Sequence, residues 1–368
     1  MRVQVVDPSA FTPPYDHALC AALARAGAEV ELITSRFAYG AVPPPDGYAV
    51  RELFYRHAVG GPGSRLRILA KLTEHVPDML GYRRVAARAD VVHFQWLTVQ
   101  PLDQHLLPRR PIVLTAHDLL PREPRPGQAR AQRRLYESVP AVVVHSEYGR
   151  ARLVEIAGVD PAKVHVIHHG AFEHLTRIRD EVPLPPELAS VEGPVVLFFG
   201  LLRPYKGVDV LLEAWRGITG AELWIVGRSR MEIESLRAAA PSNVRFVPRF
   251  ISDAELPAFF RRADVVTLPY KRTERFDQSG VLSTVLAFGR PVIVSDIGGF
   301  GEVADLGAAE LVAPDDPGAL HTALARLVAD PGARERLAAA GRAAAAGPYS
   351  WDAAARQTIS VYRLISGV

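Results

Sequence analysis

Apolar residues recur along this chain in two rhythms. In one, short segments of six to eight positions each carry three or four: "RVQVVD" (Arg2–Asp7), "EVELIT" (Glu29–Thr34), "ADVVHF" (Ala89–Phe94), "PIVLTAHD" (Pro111–Asp118), "AVVVHS" (Ala141–Ser146) and "KVHVIHHG" (Lys163–Gly170). Runs of this length suit strands buried on both faces of a parallel sheet. In the other rhythm apolar positions return at helical spacing, as in "YDHALCAALARAG" (Tyr15–Gly27), which Gly27 closes. Residues 171–193 follow neither rhythm and are rich in proline and charge, so they predict a linker.

The same grammar then restarts. "VVLFFG" (Val195–Gly200), "AELWIVG" (Ala221–Gly227), "NVRFVP" (Asn243–Pro248), "ADVVTLPY" (Ala263–Tyr270), "RPVIVSD" (Arg290–Asp296) and "AAELVA" (Ala308–Ala313) predict strands separated by helices. Alternating β and α twice over predicts two doubly wound, Rossmann-like α/β domains. The expected division is 1–175, a linker at 176–193, 194–348, and a last helix within 349–368 packing back on the first domain. Such sheets bind ligands beyond the carboxyl ends of their strands, so two facing domains would offer a cleft.

Composition narrows the class. Of 368 residues 48% are apolar and 23% charged, an ordinary globular balance. The single cysteine, Cys20, permits no intramolecular disulfide and suits a reducing compartment. "MRVQVVDPSA" has no apolar signal core, and no run of about 18 apolar residues occurs, so a cytoplasmic protein is expected. Net charge is only +3, but residues 51–88 hold eight Arg/Lys against three Asp/Glu, and residues 105–134 seven against two. These stretches are either solvated faces or a surface for phosphates or anionic lipid. Nothing points to nucleic acid.

Candidate chemistry begins at "GLLRPYKG" (Gly200–Gly207), between a strand and the helical "VDVLLEAW". A helix start favours acids, yet this loop carries Arg203 and Lys206 and no acid before Asp209. An anion held by both cations and the loop amides reverses that penalty, and Gly207 would let it approach the backbone. A nucleotide diphosphate is the favoured occupant; two surface cations are the plain alternative. "QSG" (Gln278–Gly280) opens another helix with Ser279 as cap and amides at Ser279, Gly280 and Val281. "GGFGE", ending at Glu302, opens a third. G-x-x-x-x-G-K-[ST], G-x-S-x-G, HExxH and D-x-D are absent, and the first βα turn has no glycine.

Three segments, "FFGLLRPYKGVDVLLEAW", "VRFVPRFISDAELPAFFRRADVVTLPY" and "LAFGRPVIVSDIGGFGEV", together resemble the retaining glycosyltransferases of family 4, which have the GT-B fold. The resemblance implies two Rossmann-like domains facing across a cleft. It also implies a metal-independent transfer of sugar from a UDP- or GDP-linked donor, with no cofactor. Carried over residue by residue, Arg203 and Lys206 would bind the donor diphosphate as leaving group, near Gly200. Pro248, Arg249, Phe250 and Ile251 would flank the base, and His117 would stand near the sugar. Many relatives have arginine where this chain has Leu201; Arg203 is expected to reach the same phosphate. The family's two glutamates, aligned on "AFGRPV", fall at Phe276 and Thr284, neither acidic. Thr284 would meet the ribose, and Asp277, or Glu274, the donor sugar.

The acceptor is expected on the first domain, near Tyr15, Asp16, Trp96 and Asp118, where relatives often have a glycine pair beside Tyr15. A lipid-phosphate-linked acceptor at a membrane surface, reached through the basic stretches, and a soluble small molecule are both open. Two other readings compete: a sugar-nucleotide epimerase of the same fold, and a nucleotide-sugar-binding subunit without turnover.

Overall fold

Each apolar run contributes a strand in this computed structural model, which describes residues 1–38, 40, 42–61, 64–120, 127–273 and 278–367. Two compact units result, Met1–His168 with Trp351–Val368, and His169–Ser350.

The first unit contains β1 (Arg2–Asp7), β2 (Glu29–Ser35), β3 (Ala49–Phe54), β4 (Val91–Phe94), β5 (Ile112–Thr115), β6 (Ala141–Val144) and β7 (Val164–Val166). They form one parallel sheet in the order β3-β2-β1-β4-β5-β6-β7. The strand order reverses between β1 and β4, where Val5 pairs with His93. β3 has no counterpart among the runs read from sequence. It is the edge strand and buries only Phe54 fully, so its residues carry no apolar run. The helix Arg65–Ala86 was likewise not evident; Pro77 interrupts its pattern, and Ser64 caps it by accepting the Arg67 N–H at 3.2 Å. The last helix, Trp351–Ser366, packs against Pro13–Arg25. Tyr362 reaches from it to His93 (Oη to Nδ1, 2.7 Å).

The second unit contains β8 (Val195–Phe199), β9 (Glu222–Val226), β10 (Val244–Val247), β11 (Val265–Leu268), β12 (Val292–Ser295) and β13 (Glu310–Val312), parallel in the order β10-β9-β8-β11-β12-β13. Successive β8 residues serve opposite layers: Val195 and Leu197 join one core with Trp224 and Phe260, Val196 and Phe198 another with Trp215 and Leu324. Residues 176–193 are not bare linker, since Leu188 is buried in that first core with Leu175. Prolines at 183, 185 and 186 break the period that would have marked them.

Candidate functional site

The second sheet reverses its order between β8 and β11, and the loops leaving those strands lie side by side there. Such a reversal is where doubly wound sheets hold ligands. After β8 the chain makes a 3-10 turn, Pro204–Lys206, and enters the helix Val208–Trp215 through Gly207 at φ +71°. A Cβ on Gly207 would overlap the Pro269 carbonyl oxygen. This corrects the sequence expectation: the close approach that demands glycine is to the β11 loop, not to an anion. Lys271 N–H donates to the Tyr205 carbonyl at 2.8 Å and fastens the two loops together.

Lys206 is only 8% exposed. Its ammonium donates to the Tyr270 hydroxyl and sits 3.7 Å from the centroid of the same ring. Tyr270 in turn lies 3.2 Å, oxygen to oxygen, from the Ser279 hydroxyl, which caps the helix Gly280–Ala287 by accepting the Val281 N–H. Cation, ring, hydroxyl and helix start thus form one chain of contacts across the strand reversal. Gly200 closes it from the other side: at φ +124° its α-carbon faces the Val281 side chain.

Arg203 is half-buried, and among the described residues its guanidinium has no hydrogen-bond or ion-pair partner. Leu202 bridges to Ser229, so Arg228 and Arg230, two exposed cations absent from the sequence reading, flank Arg203 on the loop after β9. The "IVGRSR" spacing following a strand was their available signal. Gln278 lends Oε1 to the Ser279 N–H at 3.1 Å, while its buried Nε2 has no hydrogen-bond partner among the described residues. Thr284 is spent internally: its hydroxyl donates to the Gly280 carbonyl at 3.0 Å. Beyond β10, Pro248 leads to Arg249, which pairs with Glu255 (2.7 Å), then to Phe250, 64% exposed, and buried Ile251. Glu302 lies half-buried in the short helix Phe300–Asp305. Asp277, Phe276 and Glu274 lie outside the described residues.

In the first unit the order reverses between β1 and β4. Asp7, ending β1, is fully buried and accepts N–H bonds from Ser9 (3.2 Å), Phe11 (2.5 Å) and Thr12 (3.2 Å). It also hydrogen-bonds Asp16, whose carboxyl is pushed well above the usual range by burial and then by the Asp7 charge. Asp16 and Tyr15 are 2% and 4% exposed, so both hold the loop rather than face an opening. Trp96 donates to Thr12 Oγ1 at 2.9 Å and stacks on His117, ring centroids 5.0 Å apart.

His117 is the hub of this end of the sheet. Its Nδ1 lies 3.3 Å from His145 Nε2 and its Nε2 lies 3.0 Å from Gln95 Oε1, and Tyr15 meets it edge-on. His145 donates from Nδ1 to the Ile167 carbonyl at 2.9 Å, and burial drives its pKa down to about 4. His117 lines a hollow of about 280 Å³ together with Trp96, Asp118, Gln128, Gln132 and Tyr136. Fully buried Gln95 also lines it, and its Nε2 has no hydrogen-bond partner among the described residues.

The structure therefore gathers His117, Trp96 and Asp118 about one hollow, and Arg203, Lys206, Gly200, Gln278, Ser279, Gly280 and Val281 about one strand reversal. Gln95, His145 and Tyr270 went unnoticed as members. The histidines had a signal: "VVHF" places one near the end of β4, "LTAHD" and "VVVHS" one just past β5 and β6, and "VIHH" two just past β7. Among the described residues no group of three His, Cys, Asp or Glu could hold a metal ion, and no helix is long and apolar enough to cross a membrane.

Known proteins share these features. Residues 15–171 match the family described as Glycosyltransferase Family 4, and residues 193–330 match Glycosyl transferases group 1. A D-inositol 3-phosphate glycosyltransferase of Segniliparus rotundus is 30% identical over 93% of this chain and 81% of its own length. A phosphatidyl-myo-inositol mannosyltransferase of Mycobacterium leprae is 35% identical over 51% of each chain. Among solved structures, Anabaena HepE in complex with UDP-glucose superposes with a TM-score of 0.72 at 18% identity, over 100% of both chains.

Proposed function

The chain belongs to the family 4, group 1 glycosyltransferases, and on that premise we propose that it moves a sugar from a nucleoside diphosphate to an acceptor hydroxyl, with retention of configuration and without a metal ion. Its two Rossmann-like domains are those of the GT-B fold. The observation that carries the donor assignment is Lys206, a buried cation held on Tyr270 at the reversal of the second sheet. A cation held at the reversal of a doubly wound sheet, next to a helix start, stands where such sheets take anionic ligands. Arg203, with no hydrogen-bond or ion-pair partner among the described residues, supplies a second charge, and the helix start at Gly280 the positive end of its dipole.

In this reading the diphosphate gains negative charge as the glycosidic bond breaks, and Lys206 and Arg203 stabilise that gain. Donors aimed at developing charge are each commonly worth about 3 kcal/mol. Exposed Phe250 is suited to stack on the base, with Pro248, Arg249 and Ile251 shaping the loop beneath. The HepE complex with UDP-glucose supports a uridine donor. Asp277 stands as the donor-sugar contact by its place beside the family's glutamate position; Thr284, turned onto its own helix, leaves the ribose to Gln278 Nε2. Glu302 would approach the sugar from the neighbouring loop. The acceptor enters the hollow beside His117, Trp96 and Asp118, where Gln95, Gln128 and Gln132 offer the amides that polyols need. Peripheral contact with anionic lipid is supported by the basic stretch 51–88, whose helix Arg65–Ala86 exposes Leu66, Ile68, Leu69 and Leu72. It was drawn also from 105–134, part of which, 121–126, lies outside the described residues.

Calorimetric titration with UDP, GDP, ADP and dTDP tests the donor site. One nucleotide is expected to bind, and Lys206→Met to weaken it by about tenfold to a hundredfold, the worth of a charged hydrogen bond. Equal affinity in the variant, or no binding of any nucleotide, would refute the assignment.

A further inference from the structure

A second hollow of the first unit, about 290 Å³, lies beyond β1, β2 and β3; it shares Phe11 and Thr98 with the hollow beside His117 but none of the residues assigned above. Its walls include Arg36, just past β2, Tyr55, just past β3, and Arg67, Ile68, Lys71 and Leu72 from the first turns of Arg65–Ala86. Three cations therefore meet at one opening. Among the described residues Arg36 and Lys71 have no ion pair, and Arg67 donates only to the carbonyls of Ala58 (3.1 Å) and Gly60 (3.4 Å). The acids of the same elements are engaged elsewhere: Glu74 takes the His57 N–H (3.0 Å), Asp78 that of Tyr55 (2.7 Å), and Asp103 that of Val99 (2.7 Å).

The hollow is also built, not merely open. Lys71 Nζ stands 4.8 Å above the Tyr55 ring, and its pKa is lowered, first by burial and then by Arg67. Tyr55 adopts φ +53°, a left-handed conformation that costs a bulky residue about 1–3 kcal/mol. Its hydroxyl lies 2.7 Å from His75 Nδ1, and His75 Nε2 lies 2.6 Å from Asp103, a chain buried throughout. Strain held by a buried hydrogen-bond chain fixes the ring that positions Lys71. Ile68 and Leu72, both half or more exposed, continue the opening as an apolar lip, with Leu66 and Leu69 next on the helix.

We propose that this hollow binds the phosphate of a phosphoryl-bearing acceptor through Arg36, Arg67 and Lys71, with the apolar lip taking a hydrocarbon attached to that phosphate. A phosphomonoester brings close to two negative charges and three acceptor oxygens, which suits three cations without acids of their own. The ligand is called an acceptor on the strength of the glycosyltransferase reading; the phosphate site itself stands on these residues. A free phosphate ester and a lipid phosphate share this chemistry.

The full chain is titrated calorimetrically with glycerol 3-phosphate, dihexanoylphosphatidic acid and, as uncharged control, dihexanoylglycerol. Both phosphates are expected to saturate one site. Arg67→Gln and Lys71→Gln should each weaken them by about tenfold or more, while Arg84→Gln, an equal charge loss farther along the same helix, changes them by less than about twofold. Should either inner variant melt early, exposed Arg36→Gln serves in its place. Phosphatidic acid binding at least about tenfold tighter than glycerol 3-phosphate assigns a lipid source, since buried methylenes add about 0.8 kcal/mol each; equal affinities assign a soluble ester. No saturable phosphate binding, equal binding of dihexanoylglycerol, or an equal loss in Arg84→Gln overturns the proposal. UDP is titrated alongside: its failure to bind would count against the donor site alone, and its binding should survive Lys71→Gln.

Discussion

His93 makes the folded first unit sensitive to acid, by an amount that can be worked out. It lies in β4 at 1% exposure, with Nδ1 2.7 Å from Tyr362 Oη and Nε2 2.8 Å from Thr115 Oγ1. Burial, and secondarily His145, lowers its pKa from 6.5 to about 3. The unfolded chain therefore takes up a proton near pH 6.5 that the folded chain refuses until about pH 3. Stability from this group is full above the unfolded pKa and is lost as pH falls between the two values. Between pH 7 and pH 5 the loss is about 2 kcal/mol, since each unit below the unfolded pKa contributes about 1.4 kcal/mol. That is a large share of a domain's usual margin of about 5–15 kcal/mol. Asp7 and Asp16 act with the opposite sign, so the wild-type slope alone does not isolate the histidine. The difference between wild type and His93→Gln does, because lost hydrogen bonds shift stability equally at every pH. Urea unfolding at pH 7 and pH 5, followed by tryptophan emission, to which Trp96 and Trp351 report from this unit, should give His93→Gln a loss smaller by about 2 kcal/mol. Parallel slopes within about 0.5 kcal/mol would refute the reasoning.

Two further substitutions probe the loops at the two strand reversals. Gly207→Ala places a methyl against the Pro269 carbonyl at a left-handed φ, and should destabilise the second unit by about 3 kcal/mol or more; an unchanged melting temperature would mean the β8 and β11 loops are not in contact. Asp16→Asn should raise the melting temperature at pH 8 and lose that advantage toward pH 4. The raised carboxyl contributes stability that is complete below its unfolded pKa and lost as pH rises through the folded one, whereas the amide donates to Asp7 at any pH. A gap between the two melting curves that does not change with pH would count against the buried carboxyl pair.

The fold was legible wherever burial was two-sided. A central parallel strand is largely apolar on both faces, so β1, β4, β6, β8, β11 and β12 announce themselves as dense apolar runs. β3, paired only along β2 and mostly exposed, needs no such run. The helix Arg65–Ala86 hides for a related reason. Leu66, Ile68, Leu69 and Leu72 stay exposed while His75, Met79 and Tyr82 are buried, so its apolar residues do not mark its inner face.

The two candidate clusters, one in each unit, differ in a more instructive way. In the second unit the residues proposed to hold the donor occupy two short loops, and their types (cations and a glycine before a helix, a serine cap) stand within eight or so consecutive positions. What sequence could not supply was the partner across the reversal, because Lys206 and Tyr270 are 64 residues apart and meet only once β11 is laid beside β8. Gly207 was misread for the same reason: its obligation is to a carbonyl on that distant loop. In the first unit no segment holds more than two members of the site. Gln95, His117 and His145 follow β4, β5 and β6 singly, and each looks like a residue ending a strand until the sheet order makes them neighbours. On the proposed reading, the donor meets a loop that the family repeats, whereas the acceptor meets side chains dispersed over many strand ends. The cations at Arg36, Arg67 and Lys71 belong to that second kind: the end of β2 and the helix Arg65–Ala86 contribute them, and among the described residues none of the three has an ion pair.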